Sequence, residues 1–284
     1  MLRRISTALV LIPIVAALVW WCPAWLLAAV AAAIAILALI EFFDLGERMG
    51  MRPFRRWTIA SALTLFYSQY SLGLVETHTL GSDVAIIQRV AGPVLPVDYA
   101  LLIFVFGAVV IGLSTRWALH EILPAIAISS AGLLFIAFPF SYLLRINEIN
   151  LVGRQLVLFT LALVWAGDIL AYFVGKGLGR VPMAPALSPN KTWEGALGNL
   201  LASLLVGVFL AKRLRIDVVQ ILVIAGLANI AGQMGDLIES AYKRGAAVKD
   251  SSDLLPGHGG VLDRIDSLIL ASPVVWVAYQ WFTK

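Results

Sequence analysis

Residues 229–266 read NIAGQMGDLIESAYKRGAAVKDSSDLLPGHGGVLDRID. The first part is apolar enough to sit in a bilayer, and the second gathers carboxylates, cations, glycines and a histidine as no other stretch of the chain does. Asn229, Gln233, Asp236, Ser240 and Lys243 follow one another at alternating steps of four and three. At about 3.6 residues per turn, those steps keep all of them on one face of a helix. The other faces carry Ile230, Met234, Leu237, Ile238 and Ala241. A polar stripe about 21 Å long, at ~1.5 Å rise per residue, thus runs down an apolar rod. A carboxylate on such a helix faces the bundle interior or a wet cavity, because exposing it to hydrocarbon is costly. The plainer alternative is a helix end whose charges reach into the headgroups.

The second part cannot be one regular element, because Pro256-Gly257 and Gly259-Gly260 interrupt it. Glycines allow close backbone approach and offer N–H groups to an anion. Asp263 opens the next apolar run, with Asp266 one turn later. Asp236 and Asp263 therefore bracket a glycine-rich basic loop. Hard oxygen ligands beside phosphate-seeking cations suit Mg²⁺ with a nucleotide. An ordinary charged connection between helices is the competing reading.

Working outward, the 284 residues are 61% hydrophobic and 13% charged, whereas soluble domains carry about 25% charged residues. The composition sets the class: an all-α, polytopic transmembrane helix bundle. Apolar runs at 5–21, 24–43, 57–75, 99–113, 125–144, 156–174, 195–211, 218–242 and 267–282 make about nine spans. The first is expected to stay uncleaved, since bulky Trp20-Trp21-Cys22-Pro23 follows it in place of small residues. Residues 76–98, with Gly81, Gly92, Pro93 and Pro96, read as an irregular external loop. A net charge of +4, with cations beside apolar spans, does not suggest a nucleic-acid partner and points to the lipid bilayer. The single Cys22 excludes an internal disulfide.

Lys/Arg bias orients the chain. Arg3 and Arg4 favour an inside N-terminus, and Arg48, Arg52, Arg55 and Arg56 put the connection after the second span inside. The connections after the sixth and eighth spans are then cytosolic too. Lys212, Arg213 and Arg215 fall on the predicted outside, against the rule. Elsewhere, His78 and His120 are isolated from other ligand types, and no nucleophile elbow occurs.

A second polar group lies upstream. Asp168 stands inside the sixth span, with Tyr172 and Gly175 after it. Ser188-Pro189-Asn190-Lys191-Thr192-Trp193-Glu194-Gly195 opens the seventh, with Ser188 read as a cap and Pro189 as an early helical residue. N–H groups, a hydroxyl and an ammonium at a helix start make an anion site; a merely well-capped helix is the alternative.

Ser240-Ala241-Tyr242-Lys243-Arg244, Lys249-Asp250, Pro256-Gly257-His258-Gly259-Gly260 and Asp263-Arg264-Ile265-Asp266 together resemble the signature of phosphatidate cytidylyltransferases, the CDP-diacylglycerol synthases. Asp168, Ala171-Tyr172, Gly175 and the 188–195 stretch are similar to the same family's upstream motif, with Lys176 and Asn190 departing from its usual residues. The resemblance implies an inner-membrane, multi-pass nucleotidyltransferase with its active site facing the cytosol. It implies CTP and phosphatidic acid as substrates, CDP-diacylglycerol and pyrophosphate as products, and Mg²⁺, with room for a second cation. In the roles so implied, Asp236, Asp263 and Asp266 hold metal. Lys243, Arg244, Lys249 and Arg264 clamp phosphates beside Asp250, and His258 binds a phosphate or shapes the loop. Asp168, Ser188, Asn190, Lys191, Thr192 and Glu194 bind the nucleotide. Residues 151–284 are expected to be catalytic and 1–150 to serve as scaffold or oligomer contacts, compatible with a homodimer. Two other readings compete: the same chemistry on an isoprenoid or ether-lipid phosphate, and a secondary transporter with Asp168, Asp236 and Lys243 as an ion relay.

Overall fold

The structure is a computed structural model that describes residues 2–78, 94–254 and 259–283, with side chains described from residue 12 on and not at 76–78. Among the described residues the chain forms α1 (Leu2–Trp21), α2 (Ala24–Arg48), α3 (Arg55–His78), α4 (Val97–Ser114), α5 (Leu119–Asn147), α6 (Gly153–Leu178), α7 (Trp193–Leu214), α8 (Val218–Gly245) and α9 (Leu262–Thr283). The only sheet among them is the hairpin of β1 (Pro182–Ala184) and β2 (Ser188–Thr192), antiparallel, with Pro182 opposite Thr192 and Ala184 opposite Ser188. The expected all-α bundle is what forms, and each expected span falls on one of these helices. Most of the loop expected at 76–98 lies outside the described residues.

Among the described residues, seven helices are long and apolar enough to cross a membrane: α2 and α4 to α9. α1 has only its second half described in side-chain detail. α3 falls short because it carries Thr58, Ser61, Ser68, Gln69 and Ser71, all buried among its neighbours. Two of these satisfy themselves locally: the Thr58 hydroxyl donates to Phe54 O and that of Ser71 to Ser68 O. Such bonds let a polar helix sit inside a bundle without water. In α5 a π-helical turn, Leu133–Ala137, directly precedes Pro139. Proline cannot donate to the preceding turn, and a widened turn accommodates the loss.

The start of α7 differs from the sequence expectation. Ser188 and Pro189 are in β2, not in the first turn of the helix. Pairing with β1 keeps them extended, and Thr192 (φ −120°, ψ 155°) becomes the cap, its hydroxyl accepting from Gly195 N at 3.2 Å.

One core runs through the molecule, from Val19 and Leu39 through Phe159 and Leu163 to Ile224 and Val275. α6 packs along α7, α7 against α8, and α8 along α9. Small residues permit these close crossings. A Cβ on Gly235 of α8 would overlap the carbonyl oxygen of Asp266 on α9, and one on Gly167 of α6 would overlap the Asn199 side chain on α7. The alternation of helices puts four connections at one end of the bundle: α2–α3, α4–α5, α6–α7 with the hairpin, and the strap between α8 and α9, described at 246–254 and 259–261. Arg244 ties two of them, its Nε donating to Leu187 O at 3.1 Å and its Nη1 to Val248 O at 2.8 Å.

Lys212, Arg213 and Arg215 are at the opposite end, where the Arg213 guanidinium lies 6.0 Å from the Trp20 ring and Arg154 donates to Trp20 O and Cys22 O. α7 is 22 residues long, about 33 Å at ~1.5 Å per residue, and so is long enough to span a full hydrocarbon core. Helix length therefore does not require a partial span at the basic turn.

This alternation is checked by labelling. In a Cys22→Ala background, Leu254→Cys and Lys212→Cys are expected to react with a membrane-impermeant maleimide in vesicles of opposite orientation. Labelling of both from the same side contradicts the arrangement.

Candidate active site

The polar face of α8 turns toward α7 and α9, as burying it in the bundle demands. Lys243 Nζ lies 2.5 Å from Glu239 Oε2, one turn back on α8, and 2.5 Å from Asp263 Oδ1 on α9. The three side chains are 12%, 4% and 7% exposed, so water screens this trio little. The other oxygen of Asp263, Oδ2, accepts from Ser251 N at 3.0 Å, Ser251 Oγ at 2.9 Å and Gly260 N at 2.8 Å. Asp263 thus organises the strap around itself. Gly259 adopts φ +75°, and a Cβ there would lie 2.6 Å from Asp263 Oδ2; only glycine fits that turn.

Beside this trio, ligand oxygens of Asp236, Glu239 and Asp266 lie within 4.8 Å of one another. Two carboxylates at that separation repel by about 3–4 kcal/mol at an effective dielectric near 20. Lys191 Nζ answers part of the charge, 2.5 Å from Asp236 Oδ2. Yet Glu239 Oε2 meets only the Lys243 ammonium, and the buried Oε1 has no hydrogen-bond donor among the described residues. A buried acceptor left over beside clustered carboxylates fits a hard divalent cation, which takes oxygen ligands. The residues present therefore suit a metal ion.

Next to the acidic group is a cavity of about 270 Å³, lined by Asp168, Tyr172, Asn190, Lys191, Thr192, Asn199, Gln233 and Asp236 among others. Its floor is a ladder of amides between α6, α7 and α8. Asn199 Nδ2 donates to Asp168 Oδ1 at 3.3 Å. Asn229 Nδ2 donates to Asn199 Oδ1 at 2.5 Å and Ser203 Oγ at 2.7 Å, and Gln233 Nε2 to Asn229 Oδ1 at 2.7 Å. A satisfied network of this kind holds its members in fixed rotamers.

Of the residues singled out from sequence, Asp168, Asn190, Lys191, Thr192 and Asp236 meet at this cavity. Lys243, Asp263 and Asp266 adjoin it through Glu239. Ser188 does not line it, and Glu194 faces the hairpin, its carboxylate accepting from Val181 N at 3.3 Å. Arg244 spends its guanidinium on backbone carbonyls. Lys249 and Asp250 are exposed on the strap, and Arg264 is exposed at the start of α9. His258 lies outside the described residues.

Among the three carboxylates expected around the ion, the geometry joins Asp236 and Asp266 to Glu239, while Asp263 is held by the lysine and the strap. Glu239 has a signal in the sequence: it is three residues after Asp236 and four before Lys243. Asn199 and Ser203 likewise repeat at helical spacing after Gly195.

Fold and site together define a polytopic membrane protein with a charged, cavity-bearing centre built into one end of its helices. The sequence pattern of the cytidylyltransferase family matches residues 2–282. The phosphatidate cytidylyltransferase of Brucella abortus is 35% identical over 232 residues, covering 79% of this chain and 83% of that one. That of Bacillus subtilis is 38% identical over 152 residues, 53% of this chain and 56% of the relative. That of Haemophilus influenzae is 43% identical over 136 residues, 46% of each. The last two alignments span only about half of those relatives. The chain belongs to the cytidylyltransferase family, so the resemblance read from residues 168–266 extends over nearly its full length.

Lys243→Met would leave Glu239 and Asp263 without their shared counter-charge, and unpairing a buried ion pair costs about 3–5 kcal/mol. The expected result is a lower unfolding temperature in detergent, partly restored in a Glu239→Gln/Lys243→Met double variant. An unchanged midpoint in the single variant contradicts the role given to the trio.

Proposed function

We propose that this chain is an integral-membrane phosphatidate cytidylyltransferase, converting CTP and phosphatidic acid to CDP-diacylglycerol and pyrophosphate, and that its active site is the Asp236–Glu239–Asp266 cluster with the adjoining cavity. The observation that carries the reading is the convergence of these carboxylates, with Glu239 Oε1 left without a donor, beneath a lysine on the 188–192 strand. Family membership supports the reaction class, and no observation favours a transporter or another lipid phosphate.

In the proposed reaction a phosphatidate oxygen attacks the α-phosphorus of CTP. The new P–O bond forms as the α–β bridging bond breaks, and the electron pair leaves on pyrophosphate. Phosphatidate is already ionised near neutral pH, so the site needs alignment and charge stabilisation more than a strong base. A Mg²⁺ bound by Asp236, Glu239 and Asp266 would supply Lewis-acid stabilisation to the phosphate oxygens. Lys191 is placed to exchange its Asp236 partner for a triphosphate oxygen. Asp168, Asn190 and Thr192 orient the nucleotide in the cavity. Lys243 keeps Glu239 and Asp263 at fixed distance, and exposed Lys249 and Arg264 meet phosphates arriving from the headgroup layer. Residues 151–284 carry the chemistry, supported by 1–150. The site end carries Arg48, Arg52, Arg55 and Arg56, which favours the cytosolic face of the inner membrane.

The test is release of pyrophosphate from CTP by purified protein given phosphatidic acid in mixed micelles. Asp236→Asn, Glu239→Gln and Asp266→Asn are each expected to lose at least about 100-fold in kcat while still inserting into the membrane. Wild-type turnover in any of them contradicts its assignment. Lys191→Ala is expected to raise the apparent KM for CTP about tenfold or more, as loss of a charge-assisted phosphate contact should; an unchanged KM removes Lys191 from the nucleotide site.

A further inference from the structure

Glu41 belongs to α2, in the half of the chain expected to be scaffold, and it is only 4% exposed. Its helix neighbours Ala38, Phe42 and Phe43 are buried core residues. A carboxylate in such surroundings is tolerated only when its acceptors are filled. Among the described residues, its hydrogen bonds go to the strap and to the start of α9. Oε1 accepts from Ser252 Oγ at 2.6 Å and from Val261 N at 2.9 Å; Oε2 accepts from Ser251 Oγ at 2.9 Å and from Leu262 N at 2.7 Å.

Two of those donors are N–H groups at the start of α9, which have no partner within the helix. Glu41 therefore caps α9 from a distant helix, where a negative charge also meets the favourable end of the helix dipole. Asp263 follows directly in the sequence, and Asp266 one turn later. Ser251 Oγ lies 2.9 Å from both Glu41 Oε2 and Asp263 Oδ2. One hydroxyl proton serves one acceptor at a time, so the serine links the two carboxylates as a shared latch. The same packing explains Gly260: a Cβ there would overlap both Ser251 Oγ and Glu41 Oε2.

Glu41 does not line the cavity and is not in the metal-compatible cluster. We infer that Glu41 is a positioning residue, a clamp from the N-terminal half that fixes the strap and the first turn of α9 so that Asp263 and Asp266 stay aligned with Asp236 and Glu239. The inference rests on the phosphatidate cytidylyltransferase reading above for its kinetic consequence, but the clamp itself has a readout independent of activity.

The experiment compares wild type with Glu41→Gln, which keeps the size but turns an NH₂ toward donors, and with Ser252→Ala, which removes one strap donor. Hydrogen exchange measured by mass spectrometry is expected to speed up in peptides covering 250–262, with α6 and α7 unchanged. Turnover per folded molecule is expected to fall about 10–100-fold in Glu41→Gln, the range typical when a residue supporting metal ligands is lost. The Mg²⁺ concentration for half-maximal activity should rise, while KM for CTP stays within about twofold because the Lys191 strand is untouched. Ser252→Ala should move every readout the same way by a smaller factor, and it stands as the test if Glu41→Gln fails to fold. Unchanged exchange at 250–262, or wild-type kcat and Mg²⁺ dependence in a folded variant, overturns the inference. Faster exchange spread evenly over the chain does so too, since it marks a purely structural role. If wild type itself releases no pyrophosphate from CTP, the functional reading falls, and the exchange result alone decides whether the clamp exists.

Discussion

One ammonium group between two carboxylates holds the working end of this bundle together. Lys243 and Glu239 share α8, Asp263 starts α9, and each contact to the lysine is 2.5 Å. In a medium that screens charge weakly, none of the three tolerates the absence of the others. Because Asp263 also gathers Ser251 and Gly260, the ion trio fixes the path of the strap. Because Glu239 reaches the other way, toward Asp236 and Asp266, the same trio sets the edge of the acidic cluster. Glycines 167, 198 and 235 bring the helices close enough for these short polar side chains to meet.

Under the proposed function, a site at one end of the helices would join two phases. The proposed chemistry would need water-soluble CTP and a divalent ion, while its lipid acceptor would stay in the bilayer. Charged groups are affordable in a spanning helix only within reach of the headgroup layer or a wet cavity. The hairpin of β1 and β2 brings Lys191 over the carboxylates from the aqueous side. Below it the amide ladder of Asn199, Asn229 and Gln233 carries polarity down into the bundle without leaving the ladder's own contacts unmade. The cavity between the two is the space in which a nucleotide and a headgroup would meet.

Much of this was legible in the residues themselves. Hydropathy marked each helix, and the alternating steps from Asn229 to Lys243 marked the inward face of α8. Glu239 lies on that face but between the traced steps, so its part in the cluster emerged only in three dimensions. The cap of α7 lies four residues beyond Ser188, since Ser188-Pro189 is a good helix start locally and loses only to the pairing of β2 with β1. α3 looked like an ordinary span, although its serines, threonine and glutamine make it less apolar than the rest. Glu41 left no local trace of its role: its partner Ser251 is 210 residues away in the chain, and its near neighbours Asp44 and Glu47 pair instead with Arg55.

The central claim is that Asp236, Glu239 and Asp266 together take a divalent ion. Binding of Mn²⁺ by the purified protein, followed by electron paramagnetic resonance as a stand-in for Mg²⁺, tests it without reference to turnover. The account predicts a saturable bound-Mn²⁺ signal in wild type that disappears when the three are replaced together by Asn, Gln and Asn in a folded protein. Undiminished Mn²⁺ binding in that triple variant would contradict it.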